Sequence, residues 1–317
     1  MYDNEFVVPV KSVQVREKRD SWMSDMTPDK YTAILDAMSK FRNYSVGNNV
    51  LIAMQRPDAA FVASFDDWKT KFGRSINKGA KGIDFIKPET VKKLYEIPGA
   101  TNSMDDSPVM TEKEFTNFKV VPLFDVSDTH GRQLPAFVTD ELNKSVDDVA
   151  RFKQAFEILT GVPCTYDDIK DKVIDMAKDK VTTDLEKYSV AYIVCKHYGI
   201  GTAEFSFDHA ADQMKGDLKE IRSSLNKVSK ASRDFLNSID GKINELKAAE
   251  RGAVEQPSEP AGDTQDTPLK GDDTLKKRDV KSLRDSLLEK LKGNKENVGD
   301  RYKNEIRITG PNKDRAI

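Results

Sequence analysis

The chain has 317 residues and a formal net charge of −2, with 51 Lys and Arg against 53 Asp and Glu. Only 38% of its residues are hydrophobic and 33% are charged, so we expect part of the chain to lie outside a packed core. Its two cysteines exclude a disulfide framework and suit a reducing cytoplasm. No apolar run approaches the roughly 20 residues of a membrane span, and the N-terminus has no signal-peptide core. We therefore expect a soluble, cytoplasmic protein without membrane contacts.

The first predicted elements are an arm and a helix. Residues 1–26 begin with a short apolar run and then become charged, which predicts a flexible arm. Thr27 followed by Pro28 is typical of a helix N-cap with proline in the first turn. Apolar residues then recur at helical steps. The pattern leaves open whether the helix continues through residues 39–44 or breaks there.

A further helix is predicted over residues 40–55, where apolar and amide side chains recur at the steps of one helix face. Pro57 ends it, because proline lacks the N–H that a helix needs. A short strand near residues 61–65 and a helical turn over residues 68–73 follow. Two glycines, at positions 79 and 82, then indicate a tight turn between two short strands.

The segment from Lys40 to Lys93 carries a local excess of positive charge, with eleven Lys and Arg against five Asp and Glu. Single-stranded nucleic acid binding needs such a cationic track for phosphates and flat faces for bases, the latter worth roughly 1–3 kcal/mol per base. The alternative is that the aromatic side chains form the core and the lysines a solvated face. The aromatic residues interleaved with the cations are Phe41, Tyr44, Phe61, Phe65, Trp68, Phe72 and Phe85.

Several residues of this segment stand in the order and spacing of a known domain. They are Tyr44-Ser45, Asn48, Leu51-Ile52, Gln55, Pro57-Asp58-Ala59, Trp68, Gly73-Arg74, Lys78-Gly79, Lys81-Gly82 and Pro88, followed by Phe124 to Thr129 and Leu134-Pro135. This pattern resembles the N-terminal domain of the ArdC-type antirestriction proteins, which are carried by conjugative plasmids and transposons and include LtrC-like proteins. Members of that family bind single-stranded DNA through this domain, and many carry a zinc metallopeptidase-like domain after it. The resemblance implies an ArdC-like DNA-binding domain over residues 27–137.

The residue types at the matching positions suggest roles in a DNA site. The amides Asn48 and Gln55 are expected to hydrogen-bond to the DNA backbone or base edges. Tyr44 and Trp68 are expected to stack on bases, unless they belong to the core. The two glycines would let the strand backbone approach the ligand closely. The cations expected to contact phosphates are Arg42, Arg74, Lys78 and Lys81, and the glycines are Gly79 and Gly82.

Turn residues between positions 89 and 113 indicate a loop or insertion. It separates two predicted strands, residues 83–86 and 115–125, whose alternation suits an antiparallel sheet covered by N-terminal helices. We therefore predict an α+β fold, in which N-terminal helices pack on a small antiparallel sheet and the first domain closes near residue 137.

Residues 138–250 are predicted to be mostly helical. Helices are expected over residues 146–159, 167–180 and 183–199. A long amphipathic helix from residue 214 onward either packs along its own domain or forms a coiled coil.

The helix over residues 183–199 resembles the end of the ArdC-type metallopeptidase-like domain, in which a Glu-Ser-Val-Ala-Tyr motif supplies an acidic zinc ligand. Such a site also needs two imidazoles one helical turn apart. Here Tyr188 stands in place of the glutamate, and the chain has no His-Glu-x-x-His. Its histidines, at positions 130, 197 and 209, lie at spacings unlike those of ligands. We therefore expect a degenerate region with no catalytic residue, metal ligand or cofactor.

The C-terminal part is predicted to be a disordered linker over residues 251–277 and a short helix with a disordered tail over residues 278–317. The sequence as a whole favours a non-enzymatic single-stranded DNA-binding protein of a mobile genetic element, acting in conjugative transfer or antirestriction. The alternative is a protein-interaction scaffold built on an inactive metallopeptidase-like domain. In either case a protein partner could dock on the long helix or on the C-terminal helix.

Overall fold

A computed structural model of the protein describes residues 10–101, 107–142, 146–208, 210 and 217–254. These residues belong to the first of two units, Met1–Gln256, and the second unit, Pro257–Ile317, lies outside the described residues. The predicted C-terminal helix and most of the predicted linker therefore also lie outside them.

Helices make up most of the described part of the chain, and the α+β class predicted from the sequence is confirmed. In chain order the helices are α1 (Val10–Ser24), α2 (Pro28–Lys40), α3 (Val46–Gln55), α4 (Phe65–Thr70), α5 (Ala136–Leu142), α6 (Val146–Thr160), α7 (Ile169–Ala177), α8 (Asp184–His197) and α9 (Leu218–Val254). The strands are β1 (Val62–Ser64), β2 (Arg74–Ile76), β3 (Ile83–Thr101), β4 (Pro108–Asp125) and β5 (Thr129–Gly131). An antiparallel sheet has the order β1-β4-β3, and β2 pairs antiparallel with β5 in a separate ribbon.

Side-chain caps explain where helices α2 and α3 begin. Thr27 accepts a hydrogen bond from the Lys30 N–H at the start of α2, and Ser45 accepts from the Asn48 N–H at the start of α3. Each cap satisfies a backbone donor that the first helical turn would leave without a partner. Because Ser45 caps a new helix, the chain breaks between α2 and α3, and the helix predicted over residues 40–55 begins only at position 46.

Residues 10–24 form a helix, although the sequence predicts a flexible arm over residues 1–26. Helix α1 packs on α3 and β4, where Val15 shares a small apolar cluster with Leu51 and Ile86. The remaining buried side chains of the helix are Ser12 and Met23. So few buried apolar positions over four turns give no clear amphipathic repeat, because the helix is held by isolated contacts to the sheet rather than by a continuous apolar stripe.

A long hairpin formed by β3 and β4 occupies the place of the loop predicted over residues 89–113. The register runs without interruption from the Ile83–Leu123 pair at the base to the Glu96–Met110 pair, and an irregularity precedes the last pair. We call residues 87–101 together with residues 108–119 the hairpin arm. Its strands are held by cross-strand pairs between residues far apart in sequence, so local turn propensities did not reveal them.

One hydrophobic core spans the boundary predicted near residue 137. Side chains from α2, α3, α6, α7, α8 and α9 and from the base of the sheet share it. The hydroxyl groups of Tyr31 on α2 and Ser189 on α8 are 2.8 Å apart, and Tyr192 donates to Asp36 at 2.7 Å. The apolar stripe of α9, including Leu225 and Val228, is buried, so this helix packs along its own unit. Helix α8 of the helical region thus packs against α2 of the N-terminal part.

Candidate nucleic-acid interface

Two amide side chains of α3 close the free edge of strand β3. Asn48 donates through Nδ2 to the Ile86 carbonyl and accepts from the Ile86 N–H, both at 2.9 Å. Gln55 repeats the arrangement on Asp84, donating at 3.2 Å and accepting at 2.9 Å. Both amides therefore serve as the missing neighbour of an edge strand. These hydrogen bonds stabilise the fold, whereas the sequence predicts that both amides hydrogen-bond to DNA.

The two rings predicted to stack on bases pack inside the protein. Trp68 is completely buried, and its Nε1–H donates to the Phe124 carbonyl at 2.9 Å. The ring of Tyr44 lies 4.8 Å from that of Phe85 and 5.9 Å from that of Phe41. Burial raises the pKa of Tyr44 to about 12. Of the two alternatives, the structure shows the core role for Trp68, which has no face available to a base. Tyr44 is partly buried and packs against the core through its contacts with Phe41 and Phe85.

The two predicted arginines bind groups of their own chain. Arg42 forms an ion pair with Asp240 of α9 at 2.5 Å, and the Tyr198 hydroxyl donates to the same carboxylate at 2.7 Å. Although burial opposes ionisation of Asp240, Arg42 and Tyr198 hold its pKa below the usual value. Arg74 donates to the side chain and carbonyl of Thr129 and to the carbonyl of Arg132. Both guanidinium groups connect segments that are distant in the sequence, whereas the sequence predicts that they contact phosphates.

The turn between β2 and β3 does face solvent. We call residues 77–82 the cationic turn, because Lys78 and Lys81 are both exposed there. The Asn77 N–H donates to the Asp128 carbonyl at 2.8 Å, and Asn77 Oδ1 lies 2.6 Å from Nδ1 of His130. These contacts attach the turn to the 3₁₀ turn and strand that follow β4, so the two lysines project from an anchored loop.

The two glycines of the cationic turn have different reasons to be glycine. Gly79 has a φ of +87°, which other residues rarely adopt, and a Cβ there would meet nothing within 4 Å. At Gly82 a Cβ would lie 2.7 Å from Cβ of Pro122, so this position needs glycine for close packing within the sheet. The two strands flanking the turn do not pair with each other as predicted, because β2 pairs with β5 and β3 with β4.

Among the seven interleaved aromatic residues, Phe65 is the one with an exposed ring, at 52% of its surface. Helical spacing places it on the same side as Trp68 and Phe72, both of which are buried, so the sequence carried no signal for its exposure. Ser64 and Ile83 both pair with Leu123, which separates their backbones by about 10 Å, or two strand spacings. The exposed ring follows the first of these residues, and the cationic turn precedes the second.

Positively charged residues strongly outnumber acidic ones around this surface. Residues 69–87 contain six Lys and Arg and one acidic residue, Asp84, whose carboxylate pairs with Lys11 at 3.1 Å. Strand β5 contributes the exposed His130, and the exposed Arg132 directly follows the strand; neither was predicted as a site residue. The alternation of buried Thr129 with exposed His130 in a short strand is the signal that could have identified them.

The region that resembles a metallopeptidase uses its acidic residue for capping. Glu186 is buried and accepts hydrogen bonds from the N–H groups of Thr182 and Thr183 at 3.0 and 3.2 Å. Burial opposes its ionisation, but these hydrogen bonds hold the pKa of Glu186 below the usual value. Tyr188 is 47% exposed. Within the described residues, no group of three or more His, Cys, Asp or Glu side chains is placed to hold a metal ion.

His197 and Cys195 also belong to the core of the helical region. Nδ1 of His197 lies 2.8 Å from the Ser39 carbonyl. Burial raises the pKa of the Cys195 thiol to about 12, which leaves it protonated and unreactive at neutral pH. Across the part of the chain that the structure describes, no helix is both long and apolar enough to cross a membrane.

The first part of this chain is similar to a domain of known proteins. Residues 12–120 match the model of the N-terminal domain of anti-restriction factor ArdC, a range that includes α1 and most of the hairpin. The uncharacterized protein pXO2-81 of Bacillus anthracis is 24% identical, and the alignment covers 74% of this chain and 52% of that protein. The chain thus spans about half the length of this curated relative.

Among solved structures, the metal-free crystal structure of the antirestriction ArdC protein from plasmid R388 is similar to this chain with a TM-score of 0.36 and 14% sequence identity. The match covers 64% of this chain and 86% of that one. The similarity to the ArdC domain model lies in residues 12–120, which include the α3 amides, the cationic turn and Pro88. Residues 12–120 of this chain therefore match the N-terminal domain of the ArdC-type family.

Proposed function

We propose that the protein is a non-enzymatic single-stranded DNA-binding protein of a mobile genetic element, which acts in the cytoplasm in conjugative transfer or antirestriction. The observation that carries this proposal is the exposed cationic turn within the ArdC-type domain. Lys78 and Lys81 project there from an anchored loop, in a segment with six cations and one acidic residue.

The physical argument is that phosphates need accessible cations and unpaired bases need accessible rings. The structure assigns Arg42, Arg74 and Trp68 to contacts within the protein, so the proposed DNA surface is narrower than the sequence predicts. It consists of the two lysines of the turn and the exposed Phe65 ring.

A non-enzymatic role is supported by the residues of the second region. The sequence lacks a His-Glu-x-x-His pair, and Tyr188 stands where the family's acidic ligand is expected. The nearest carboxylate, Glu186, is held by backbone donors and by Lys227 at 3.4 Å. Its capping role leaves it buried at the start of α8, away from solvent.

Fluorescence anisotropy with a labelled single-stranded oligonucleotide and its duplex, at two salt concentrations, tests the proposal. We expect the wild-type protein to prefer the single strand and to bind more weakly at higher salt. The Lys78→Ala/Lys81→Ala variant should lose about tenfold in affinity if each lysine contacts one phosphate.

A matched control is Lys219→Ala/Lys230→Ala, which removes two exposed lysines from α9 outside the family-matched range. This control should bind like the wild type. Equal weakening in both variants would show that bulk charge alone governs binding. Absence of wild-type binding at low salt would refute the proposal.

The second candidate function is the protein-interaction scaffold, which one observation favours. The C-terminal end of α6 and the loop after it expose Ile158, Leu159 and Tyr166, at 49%, 47% and 59% of their surfaces. Large apolar side chains exposed close together are typical of contact surfaces. If DNA binding fails, this surface and α9 are the places to test next by substitution and sedimentation.

A further inference from the structure

The hairpin arm has two faces of opposite charge. Side chains alternate between the faces of a two-stranded ribbon, so the odd-numbered residues of β3 share a face with their register partners on β4. One face carries Lys87, Lys93, Lys113 and Lys119 with Glu89 as its acidic residue, and we call it the basic face. The opposite, acidic face carries Glu96, Glu112 and Glu114 with Lys92.

The lysines of the basic face stand directly opposite one another. Lys87 is the register partner of Lys119, and Lys93 is the register partner of Lys113. Like charges directly opposite across a ladder destabilise the pair. Glu89 relieves the first pair through an ion pair with Lys119. Two such cross-strand pairs on one ribbon create a strip of positive potential that an anionic ligand would neutralise.

Charges on the acidic face are compensated within the arm. The ammonium group of Lys92 lies 3.2 Å from Glu112 and 3.6 Å from Glu114. Leu94 and Met110 on this face are exposed at 63% and 49%. The two faces therefore differ in net charge, since the acidic face carries three carboxylates and one lysine and the basic face carries four lysines and one carboxylate.

Aromatic rings lie among the lysines of the basic face. Tyr95 and Phe115 are partly exposed, with ring centroids 5.2 Å apart, and Lys113 Nζ lies 5.4 Å from the Tyr95 ring. The two lysine pairs are six residues apart along β3, which is about 20 Å. The face thus combines a track of cations with flat apolar surface, the two features that a single strand of nucleic acid requires.

We propose that the basic face of the hairpin arm is a second contact surface for single-stranded DNA, in which lysines contact phosphates and the Tyr95–Phe115 pair stacks with bases. The proposal rests on the DNA-binding function proposed above and extends it from the cationic turn along β3, whose first residue, Ile83, directly follows that turn. The arm lies within residues 12–120, yet none of its residues beyond Pro88 belongs to the pattern that resembles the ArdC-type domain.

Two variants with the same change in net charge test the proposal. Lys93→Gln/Lys113→Gln removes two positive charges from the basic face, and Leu94→Glu/Met110→Glu adds two negative charges to the acidic face of the same arm. Both sites lie beyond the core. The first variant removes a repulsive pair, whereas the second places glutamates opposite Glu112 and Glu96, so thermal melts of both variants are compared with wild type before binding is measured.

The readout is the anisotropy of a labelled thymidine 20-mer across a salt series. Lys93→Gln/Lys113→Gln should lower affinity about tenfold and reduce the slope of log K against log salt by about 1.4, the value for two phosphates of a single strand. Leu94→Glu/Met110→Glu should retain wild-type affinity and slope. In a third variant, Tyr95→Ala should weaken binding without changing the salt slope, because stacking involves no counterion release.

The result that overturns the arm proposal alone is wild-type affinity in Lys93→Gln/Lys113→Gln while Lys78→Ala/Lys81→Ala weakens binding. If the wild type binds no DNA, both proposals fail together. Equal losses in the basic-face and acidic-face variants would also overturn it, since that result reports net charge. The alternative ligand of the basic face is the acidic face of a second copy of the protein. Sedimentation velocity tests this alternative by measuring self-association. If the wild type self-associates, and the basic-face variant abolishes this association without changing DNA affinity, the ligand of the basic face is a second copy of the protein and not DNA.

Discussion

Helix α3 and the cationic turn come from the same sequence motif, yet the structure uses them in opposite ways. Asn48 and Gln55 of α3 use their amide groups in hydrogen bonds to the edge of β3, whereas the ammonium groups of Lys78 and Lys81 face solvent. Residue types suited to DNA therefore occur in both places, and only one of them leaves its functional groups accessible. The comparison separates residues that build the domain from residues that could touch a ligand, and stability and binding measurements can test this separation.

The largest expected effect on stability is at Trp68, one of the residues that build the domain. Its ring is fully buried against Phe61 and Phe72, so Trp68→Ala should lower the free energy of unfolding by about 3–5 kcal/mol. Urea denaturation followed by circular dichroism measures this loss. Phe65→Ala is the control, with a change within about 0.5 kcal/mol because its ring is exposed. Similar losses in the two variants would contradict the division between them.

The α3 amides should give the next largest effect. Asn48→Ala leaves a buried N–H and carbonyl of Ile86 without partners, at a cost of about 2–3 kcal/mol. Gln55→Ala should cost less than about 1 kcal/mol, because water can replace the amide at that exposed position. The same urea experiment compares the two variants. If Asn48→Ala were as stable as the wild type and weakened DNA binding instead, the amide would belong to the ligand surface.

Asp125 should show a smaller effect that depends on pH. Its buried carboxylate accepts from the N–H groups of Ala60, Phe61 and Ser127, and although burial opposes ionisation, these hydrogen bonds and that of the Ser127 hydroxyl lower the pKa of Asp125. A lowered carboxyl pKa stabilises the folded state above the unfolded value of about 3.9, and that stabilisation is lost as pH falls through the folded pKa.

Asp125→Asn should therefore cost about 1.5 kcal/mol at pH 7, with the difference from wild type shrinking as the pH falls below about 4. Urea denaturation at several pH values measures it. A difference that stayed constant down to the lowest pH would show that charge on Asp125 does not contribute.

The smallest effect on stability is expected on the ligand side of the comparison. Lys78→Ala/Lys81→Ala removes exposed side chains from the cationic turn, so its free energy of unfolding should stay within about 0.5 kcal/mol of wild type. The binding assay is where this variant should differ. A large loss of stability would mean that the two lysines stabilise the turn and are not simply available to a ligand.

Predictions from local pattern succeeded for elements whose signal is local. The helices expected over residues 146–159 and 183–199 are confirmed as α6 and α8, each within two residues at its ends, because amphipathic repeats and a capping box are present in the sequence itself. The hairpin arm and α1 were missed. Each is held by contacts with residues distant in the chain, and turn-forming residues at the far end of the arm suggested a loop.

The candidate site was predicted in part for the same reason. The cationic turn was identified correctly as a glycine-bracketed turn with lysines, and its lysines are exposed. The positions expected to hold stacking rings and phosphate-binding arginines are instead occupied by core and bridging side chains. Phe65, His130 and Arg132 were not selected as site residues, because exposure depends on which elements pack together.

The sequence by itself determined the α+β class, most helix positions, the local excess of positive charge and the resemblance to the ArdC-type domain, since these depend on residue order and spacing. Only the tertiary structure decided which cations and rings are accessible. Arg42 reaches Asp240 and Trp68 reaches Phe124, and such pairings between distant segments satisfy buried polar groups at positions that no local pattern encodes. The same packing left the turn lysines, Phe65 and the lysine pairs of the hairpin arm on the surface.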